Sequence, residues 1–137
     1  MRGQFTFSKE ERLTGKTNID QLFNEGKSFT LLPFRVYYRL GPIPASPLAR
    51  LLIAIPKKKV KHAVDRNRLR RLVRESYRLH KGELITSLEK GSVSLHFALI
   101  YTSEITELTF KEVELKLVAC LARLDKIIAS ESGKGIQ

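Results

Sequence analysis

The sequence has little of what a secreted, membrane-bound or thiol-dependent protein requires. Its one cysteine, Cys120, cannot close a disulfide within the chain, which favours a reducing cytoplasm. Cys120 also lies in an apolar run, where a thiol packs as a small hydrophobe rather than acting as a nucleophile. No apolar stretch approaches the ~20 residues that span a bilayer, and residues 1–7 lack the apolar core of a signal peptide. We therefore expect a cytoplasmic protein with no membrane partner.

Acidic residues are scarce relative to basic ones. Lys and Arg number 25 against 14 Asp and Glu, which gives a net charge of +11 over 137 residues. Such an excess favours a polyanionic partner, with nucleic acid first and an anionic membrane surface second.

Chemistry for a protein-based nuclease is also missing from the sequence. His62, His80 and His96 show no metal-ligand spacing, the acids form no recognisable metal cluster, and no Gly-rich phosphate loop is present. His62 and His80 lie on or beside a basic segment, where we expect them to add contacts to a nucleic-acid partner. The sequence therefore predicts no protein metal site and no catalytic residue.

Length and composition predict a single domain over residues 1–137. Residues 1–16 are polar and basic and are interpreted as a flexible extended arm. A short helix is expected at about 18–25, with Asn18 as its N-cap and Gly26 at its C-terminal end.

Strands are predicted where aromatic and β-branched residues concentrate. Residues 29–40 read as strand, residues 41–47 as a Pro-rich loop, and residues 51–55 as a short strand covered on both faces. Residues 93–101 read as a further strand.

Two longer helices complete the pattern. One is expected from about 61 to 80, with Gly82 just past its end and a polar connection over residues 81–92. The last helix begins at Thr109, with Glu112 at capping-box spacing, and ends in a frayed tail over residues 130–137. Its apolar residues form one stripe: Phe110, Val113, Leu117, Leu121, Leu124 and Ile128. The order helix, strands, helix, strand, helix predicts a two-layer α+β sandwich.

The positive charge is concentrated in the middle of the chain. Residues 57–81 carry eleven basic side chains and only Asp65 and Glu75 as acids, so this segment holds +9 of the net charge. Helical phasing places apolar and small side chains on one side: Leu69, Leu72, Val73, Ser76, Tyr77 and Leu79. It places a basic set on the other: Asn67, Arg68, Arg70, Arg71, Arg74 and Arg78.

Three interpretations of this basic helix compete. A solvated charged face usually interleaves acids for i,i+4 support, and this one barely does. A membrane-surface helix needs a free apolar face, whereas this one is needed to cover the sheet. Arginine binds phosphate oxygens bidentately and stacks on bases, so nucleic acid is the favoured partner.

The segment from Lys57 to Leu79 closely resembles the signature of the bacterial ribonuclease P protein family. The hallmark is Arg-Asn-Arg followed by a basic pair and then Arg-Glu, all present from Arg66 to Glu75. Residues 18–28 are similar to the family's first helix with the Gly and polar residues that follow it. The resemblance covers about residues 6–128.

The resemblance implies an αβββαβα order, a four-stranded sheet and a left-handed βαβ crossover, against the general right-handed rule. It also implies a role as accessory subunit of an endoribonuclease that removes the 5′ leader of precursor tRNA, leaving a 5′-phosphate, and broadens substrate specificity. The catalytic RNA subunit would perform the hydrolysis with bound Mg²⁺, with one protein per RNA.

The resemblance assigns two sets of site residues. Those expected to bind the catalytic RNA are Lys57, Lys58, Lys61, Arg66, Asn67, Arg68, Arg70, Arg71 and Arg74. Those expected to line a cleft for the leader are Ile19, Phe23, Ser28, Phe34 and Tyr37. Tyr37 and Tyr38 must face opposite ways on a strand, and Tyr37 is the predicted cleft residue.

Ile19 departs from the family pattern, in which an aromatic residue is common, so stacking on a leader base is expected to be weaker there. For Ile19 and Phe23, simple core packing of a short helix is an equally good interpretation. A general RNA-binding module and a DNA-binding architectural protein are the alternative functions.

Overall fold

The sheet and helices follow the order that the sequence predicts. The structure is a computed structural model that describes residues 7–42 and 47–136. After a short 3₁₀ helix, Lys9–Glu11, the elements are α1 (Lys16–Glu25), β1 (Lys27–Leu31), β2 (Phe34–Pro42), β3 (Ala49–Ala54), α2 (Ala63–Gly91), β4 (Val93–Tyr101) and α3 (Phe110–Ile136). This is the αβββαβα order, which is confirmed.

One four-stranded sheet organises the domain, with the strands in the order β1-β2-β4-β3. β1 pairs antiparallel with β2, and β2 pairs antiparallel with β4. β3 and β4 are parallel neighbours joined through α2, so they form the expected βαβ unit.

The two faces of the sheet have different coverings because alternate residues of a strand point to opposite sides. On β4, Leu95, Phe97 and Leu99 are buried in the main core, which α2 and α3 close. Ala98 points the other way, into a small cluster with Leu22 of α1. The α+β sandwich is thus confirmed, and α1 lies on the opposite face of the sheet from the two long helices.

The predicted strand over residues 29–40 is wrong as one element, because it is a hairpin of β1 and β2. Pro33 has no N–H to donate to a strand ladder, and it lies in the turn between the two strands. β2 also continues to Pro42, beyond the predicted end.

The predicted end of α2 near residue 80 is also wrong. The helix continues through Gly82 to Gly91, and Leu84 and Leu88 extend its buried face. A glycine inside a helix costs ~1 kcal/mol, which burial of two leucines outweighs. Ser92 ends the helix in the left-handed region at φ 55°.

Residues 7–15 pack on the domain instead of forming an extended arm. Glu11 and Leu13 are buried, and the backbone N–H of Leu13 donates to the carbonyl oxygen of Leu51 at 2.9 Å. Residues 1–6 of the predicted arm lie outside the described residues.

The predicted N-cap of α1 is wrong, whereas its C-terminal end is right. Gly15, at φ 89°, precedes the helix, and the Asn18 side chain donates to the Thr14 carbonyl at 3.2 Å. Gly26 ends α1, where an added Cβ would lie 2.3 Å from the Leu22 carbonyl oxygen.

The start and core stripe of α3 agree with the sequence. The Thr109 N–H donates to a Glu112 carboxylate oxygen at 3.1 Å, and the Glu112 N–H donates to Thr109 Oγ1 at 3.2 Å, which is the capping box. Of the predicted stripe, only Phe110 is not fully buried. The helix runs to Ile136, past the start of the tail predicted at residue 130.

Candidate nucleic-acid interface

Helix α2 presents its basic side away from the core. Leu69, Val73, Ser76 and Tyr77 are buried as predicted, but Leu79 is 42% exposed. We call the opposite side the arginine face, comprising Asn67, Arg68, Arg70, Arg71, Arg74 and Arg78. Its side chains are exposed or half-buried.

Two arginines at the start of α2 hold the protein's own backbone. Arg68 donates from Nη1 to the Thr106 carbonyl at 2.9 Å and from Nη2 to the Leu108 carbonyl at 2.7 Å. Arg66 donates from Nη1 to the carbonyl of Lys61 at 2.8 Å. Each guanidinium has five donors, so part of each remains available to a ligand. Arg66 and Arg68 therefore stabilise the protein's own backbone as well as adding charge to this side of the molecule.

The other arginines are engaged to different degrees. Arg78 forms an ion pair with Glu75, and this hydrogen bond holds the pKa of Glu75 below its usual value. Arg70 donates to Asn67 Oδ1 at 3.1 Å. For Arg71 and Arg74, no carboxylate of the described residues lies within 4 Å. The same is true of Arg68 and Arg70, so all four guanidinium groups add positive charge that no carboxylate of the described residues neutralises at that distance.

The lysines before α2 lie on a fixed turn. The N–H groups of Lys59 and Val60 donate to the Pro56 carbonyl at 3.1 and 3.0 Å, and Val60 is 1% exposed. Lys57, Lys58 and Lys61 are exposed on this turn. Buried Val60 therefore fixes the turn, and the turn holds the lysine ammonium groups near the carboxyl end of β3.

Four of the five predicted cleft residues come together on the α1 side of the sheet. Ser28 pairs with Tyr37, and Tyr37 pairs with Ala98, in register across three strands. The rings of Phe23 and Tyr37 meet edge to face with centroids 4.7 Å apart. Ile19 is half-buried in the apolar cluster beneath them. We call this surface the cleft.

The cleft also contains a residue that the sequence analysis missed. The Arg35 guanidinium lies over the Tyr37 ring at 5.3 Å from its centroid, and Nη2 is 3.5 Å from Ser28 Oγ. Arg35 and Tyr37 are two residues apart on β2, so strand alternation could have found it.

Phe34 does not line the cleft, and that prediction is wrong. It is 1% exposed and packs against Tyr101 in the main core, with ring centroids 6.0 Å apart. Phe34 and Tyr37 are three residues apart on one strand, so they point to opposite faces. Tyr38 likewise packs on the core side, against Phe29, which leaves Tyr37 on the cleft side as predicted.

The histidines and the cysteine lie in different surroundings. His80 contacts Glu114 of α3 at 2.7 Å, and His62 is exposed next to α2. Burial, and then Arg50 and Arg39, lower the pKa of His96. Cys120 is fully buried, and burial raises its pKa to about 12, so the thiol is unreactive at neutral pH.

Two kinds of structural feature are absent from residues 7–42 and 47–136. No group of three or more His, Cys, Asp or Glu side chains is placed to hold a metal ion. None of the helices there combines the length and apolar character of a bilayer-spanning segment.

Comparison with known proteins agrees with this architecture. The ribonuclease P family model matches residues 7–125. The ribonuclease P protein component of Porphyromonas gingivalis is 37% identical over 131 residues, covering 95% of this chain and 94% of the relative. That of Chlorobium phaeobacteroides is 37% identical over 101 residues, covering 68% and 69%.

Solved structures share the fold. The ribonuclease P protein from Thermotoga maritima superposes with a TM-score of 0.65 at 28% identity, covering 82% of this chain and 96% of that one. The Staphylococcus aureus protein superposes with a TM-score of 0.63 at 22% identity, covering 83% and 96%. The chain belongs to the ribonuclease P protein component family.

Proposed function

We propose that the chain binds both the catalytic RNA of ribonuclease P and the 5′ leader of precursor tRNA, and so assists removal of that leader. Membership of the family indicates a general role in tRNA 5′ processing, as a subunit of an endoribonuclease that has an RNA partner. The proposal that the protein binds two different RNAs rests on one observation. The protein has two separate surfaces, the arginine face and the cleft, and they suit RNA in different ways.

The cleft suits a single strand. Phe23 is 37% exposed and Tyr37 half-buried, so ring surface remains available to a base. Stacking of a base on an aromatic side chain is worth ~1–3 kcal/mol and tolerates any sequence. The Arg35 guanidinium, 5.3 Å from the Tyr37 ring centroid, adds a cation beside the stacking surface. Ile19 offers no π-face, and we assign it to the apolar floor under these rings.

The arginine face and the lysine turn suit a structured RNA backbone. The proposed contacts are Lys57, Lys58, Lys61, Arg66, Asn67, Arg68, Arg70, Arg71 and Arg74. None of the five arginines in this set has a carboxylate of the described residues within 4 Å, so all five supply net charge. In this proposal Arg66 and Arg68 contribute only the donors left after they bind backbone carbonyls.

Magnesium belongs to the RNA in this proposal. The ion prefers carboxylate, phosphate and water oxygens. The residues assigned to the two proposed surfaces present guanidinium, ammonium, amide, hydroxyl and aromatic groups and include no carboxylate, and the nearby Glu75 carboxylate is paired with Arg78. These residues do not fit a Mg²⁺ site, and no step of hydrolysis is assigned to the protein.

We also propose a cytoplasmic location and one protein per catalytic RNA.

Reconstitution tests the proposal. The chain is mixed with ribonuclease P RNA and precursor tRNA at low Mg²⁺, and leader cleavage is measured with and without protein. We expect stimulation that depends on protein and is lost at high salt, because phosphate contacts release counterions. RNA binding without stimulation would favour a general RNA-binding module instead.

A second experiment separates the cleft from the core. Phe23→Ala should weaken binding of leader-bearing tRNA to the holoenzyme by about tenfold, within the range for loss of one stacked base, and leave mature tRNA unaffected. Leu115→Ala is the matched control, since Leu115 is 69% exposed on α3, outside both surfaces. Equal losses of affinity for leader-bearing and mature tRNA would indicate that Phe23 contributes to packing and does not bind the leader.

A further inference from the structure

A cavity lies at the β3 edge of the sheet, between α2 and the N-terminal segment. Its volume is about 210 Å³, and three arginines line it: Arg12, Arg70 and Arg74. Leu13 and Leu52 form part of its apolar floor. Arg12 comes from the segment taken as an extended arm from the sequence, so only the tertiary structure brings it to the two helix residues.

The cavity concentrates positive charge without a counterion from the protein. Within the described residues, no carboxylate is within 4 Å of any of the three guanidinium groups. Burial, followed by the charges of Arg12 and Arg70, lowers the pKa of Arg74. Like charges this close repel one another, and a bound anion would remove that repulsion.

The position of Arg12 is fixed by contacts on both sides of it. The preceding residue, Glu11, forms an ion pair with Lys81 of α2 at 2.5 Å, with side chains 11% and 4% exposed. The following residue, Leu13, is hydrogen-bonded to β3. The Arg12 guanidinium lies 5.7 Å from the centroid of the Phe7 ring. The backbone at Arg12 is therefore fixed before any ligand arrives, with the guanidinium beside the Phe7 ring.

The cavity joins the two surfaces described above. Arg70 and Arg74 belong to the arginine face, while Leu13 and Leu52 belong to the apolar cluster that includes Ile19 and Tyr37 of the cleft. A strand passing between the two surfaces around the edge of β3 would cross this point.

We propose that Arg12, Arg70 and Arg74 form a binding site for one phosphodiester group of an RNA strand that runs between the arginine face and the cleft. A guanidinium group can donate two parallel hydrogen bonds to phosphate oxygens. The sugar next to that phosphate would pack on the apolar floor of the cavity. The identity of the RNA rests on the proposed function, whereas phosphate binding by the protein alone does not.

The first test uses inorganic phosphate and the full chain, followed by backbone NMR. We expect phosphate to shift the amide signals of Arg12, Leu13 and Arg74 in the wild type and not in Arg12→Gln. Lys9→Gln is the matched control, because it removes one exposed charge from the same segment outside the cavity. Identical shifts in Arg12→Gln and the wild type would refute the site. This test stands even if holoenzyme reconstitution fails.

The second test identifies the strand. Affinity and its salt dependence are measured for the catalytic RNA alone and for precursor tRNA on the holoenzyme. Arg12→Gln should weaken one of these two affinities by about three- to tenfold. It should also reduce the slope of log affinity against log salt concentration by about 0.7–0.9, which is the effect of one phosphate contact. A loss of affinity for either RNA would support the site and would identify the RNA whose phosphodiester group occupies it. If Arg12→Gln behaves as Lys9→Gln with both RNAs, the proposal is wrong.

Discussion

Replacing Arg68 by Ala should destabilise the fold as well as weaken RNA binding, because this side chain holds the connection between β4 and α3. Its two hydrogen bonds, to the carbonyls of Thr106 and Leu108, span 2.9 and 2.7 Å. Hydrogen bonds from a charged donor contribute ~1.5–3 kcal/mol each when buried. The guanidinium is half-exposed, so we expect a total loss of about 2 kcal/mol after allowing for solvent screening. For this chain length, an unfolding entropy of ~2.1 cal/mol/K per residue converts that loss to a fall of about 7 °C in Tm.

Thermal unfolding by circular dichroism measures the effect, with Arg71→Ala as the matched control. Arg71 is exposed on the same helix, and its removal should change stability by no more than ~0.5 kcal/mol. Arg68→Lys keeps the charge but can reach only one carbonyl, so it should retain the salt slope of RNA binding while losing part of the stability. A Tm for Arg68→Ala within 1–2 °C of Arg71→Ala would refute this reasoning, since those bonds would then contribute nothing measurable.

Four further predictions concern other elements. Phe34→Ala should cost ~3–5 kcal/mol in chemical denaturation because the ring is 1% exposed in the main core, whereas Phe23→Ala should cost less than half of that. Thr109→Ala should cost about 1 kcal/mol through loss of the capping box at α3, measured in the same assay against Thr109→Ser, which keeps the cap. Gly82→Ala should raise stability by ~0.5–1 kcal/mol, since nothing lies within 4 Å of the added Cβ inside α2; a fall would contradict the helical assignment there. Cys120 should resist a thiol reagent at pH 8 in the native state and react only on unfolding, because burial raises its pKa to about 12; rapid native-state labelling would contradict this.

Errors in the sequence analysis occurred where local signals compete with tertiary packing. Gly82 and the polar residues after it are typical of a helix end, yet burial of Leu84 and Leu88 continues α2 to Gly91. Asn18 is a good N-cap residue, but its side chain binds the Thr14 carbonyl instead. In both places the favoured local structure costs about 1 kcal/mol to override, less than the packing contributes.

Site residues divide in the same way. The family resemblance selected Tyr37 rather than Tyr38 for the cleft, and the structure places Tyr37 on the α1 side of the sheet. Strand alternation applied from Tyr37 would have put Arg35 on that side and Phe34 on the other. Arg68 could not have been recognised as a backbone-binding residue, because its partners lie 38 and 40 residues away in the chain.

The sequence by itself determined the order of helices and strands, the buried stripe of α3, the concentration of charge in residues 57–81 and the family. These properties follow from periodicity, composition and a contiguous motif, which are local. Only the tertiary structure decided which arginines are engaged within the protein and which meet across the fold. Arg12 reaches Arg70 and Arg74 because the buried pair of Glu11 and Lys81 holds the N-terminal segment against α2. Contacts between residues distant in the chain depend on how the whole core packs, so no local pattern can specify them.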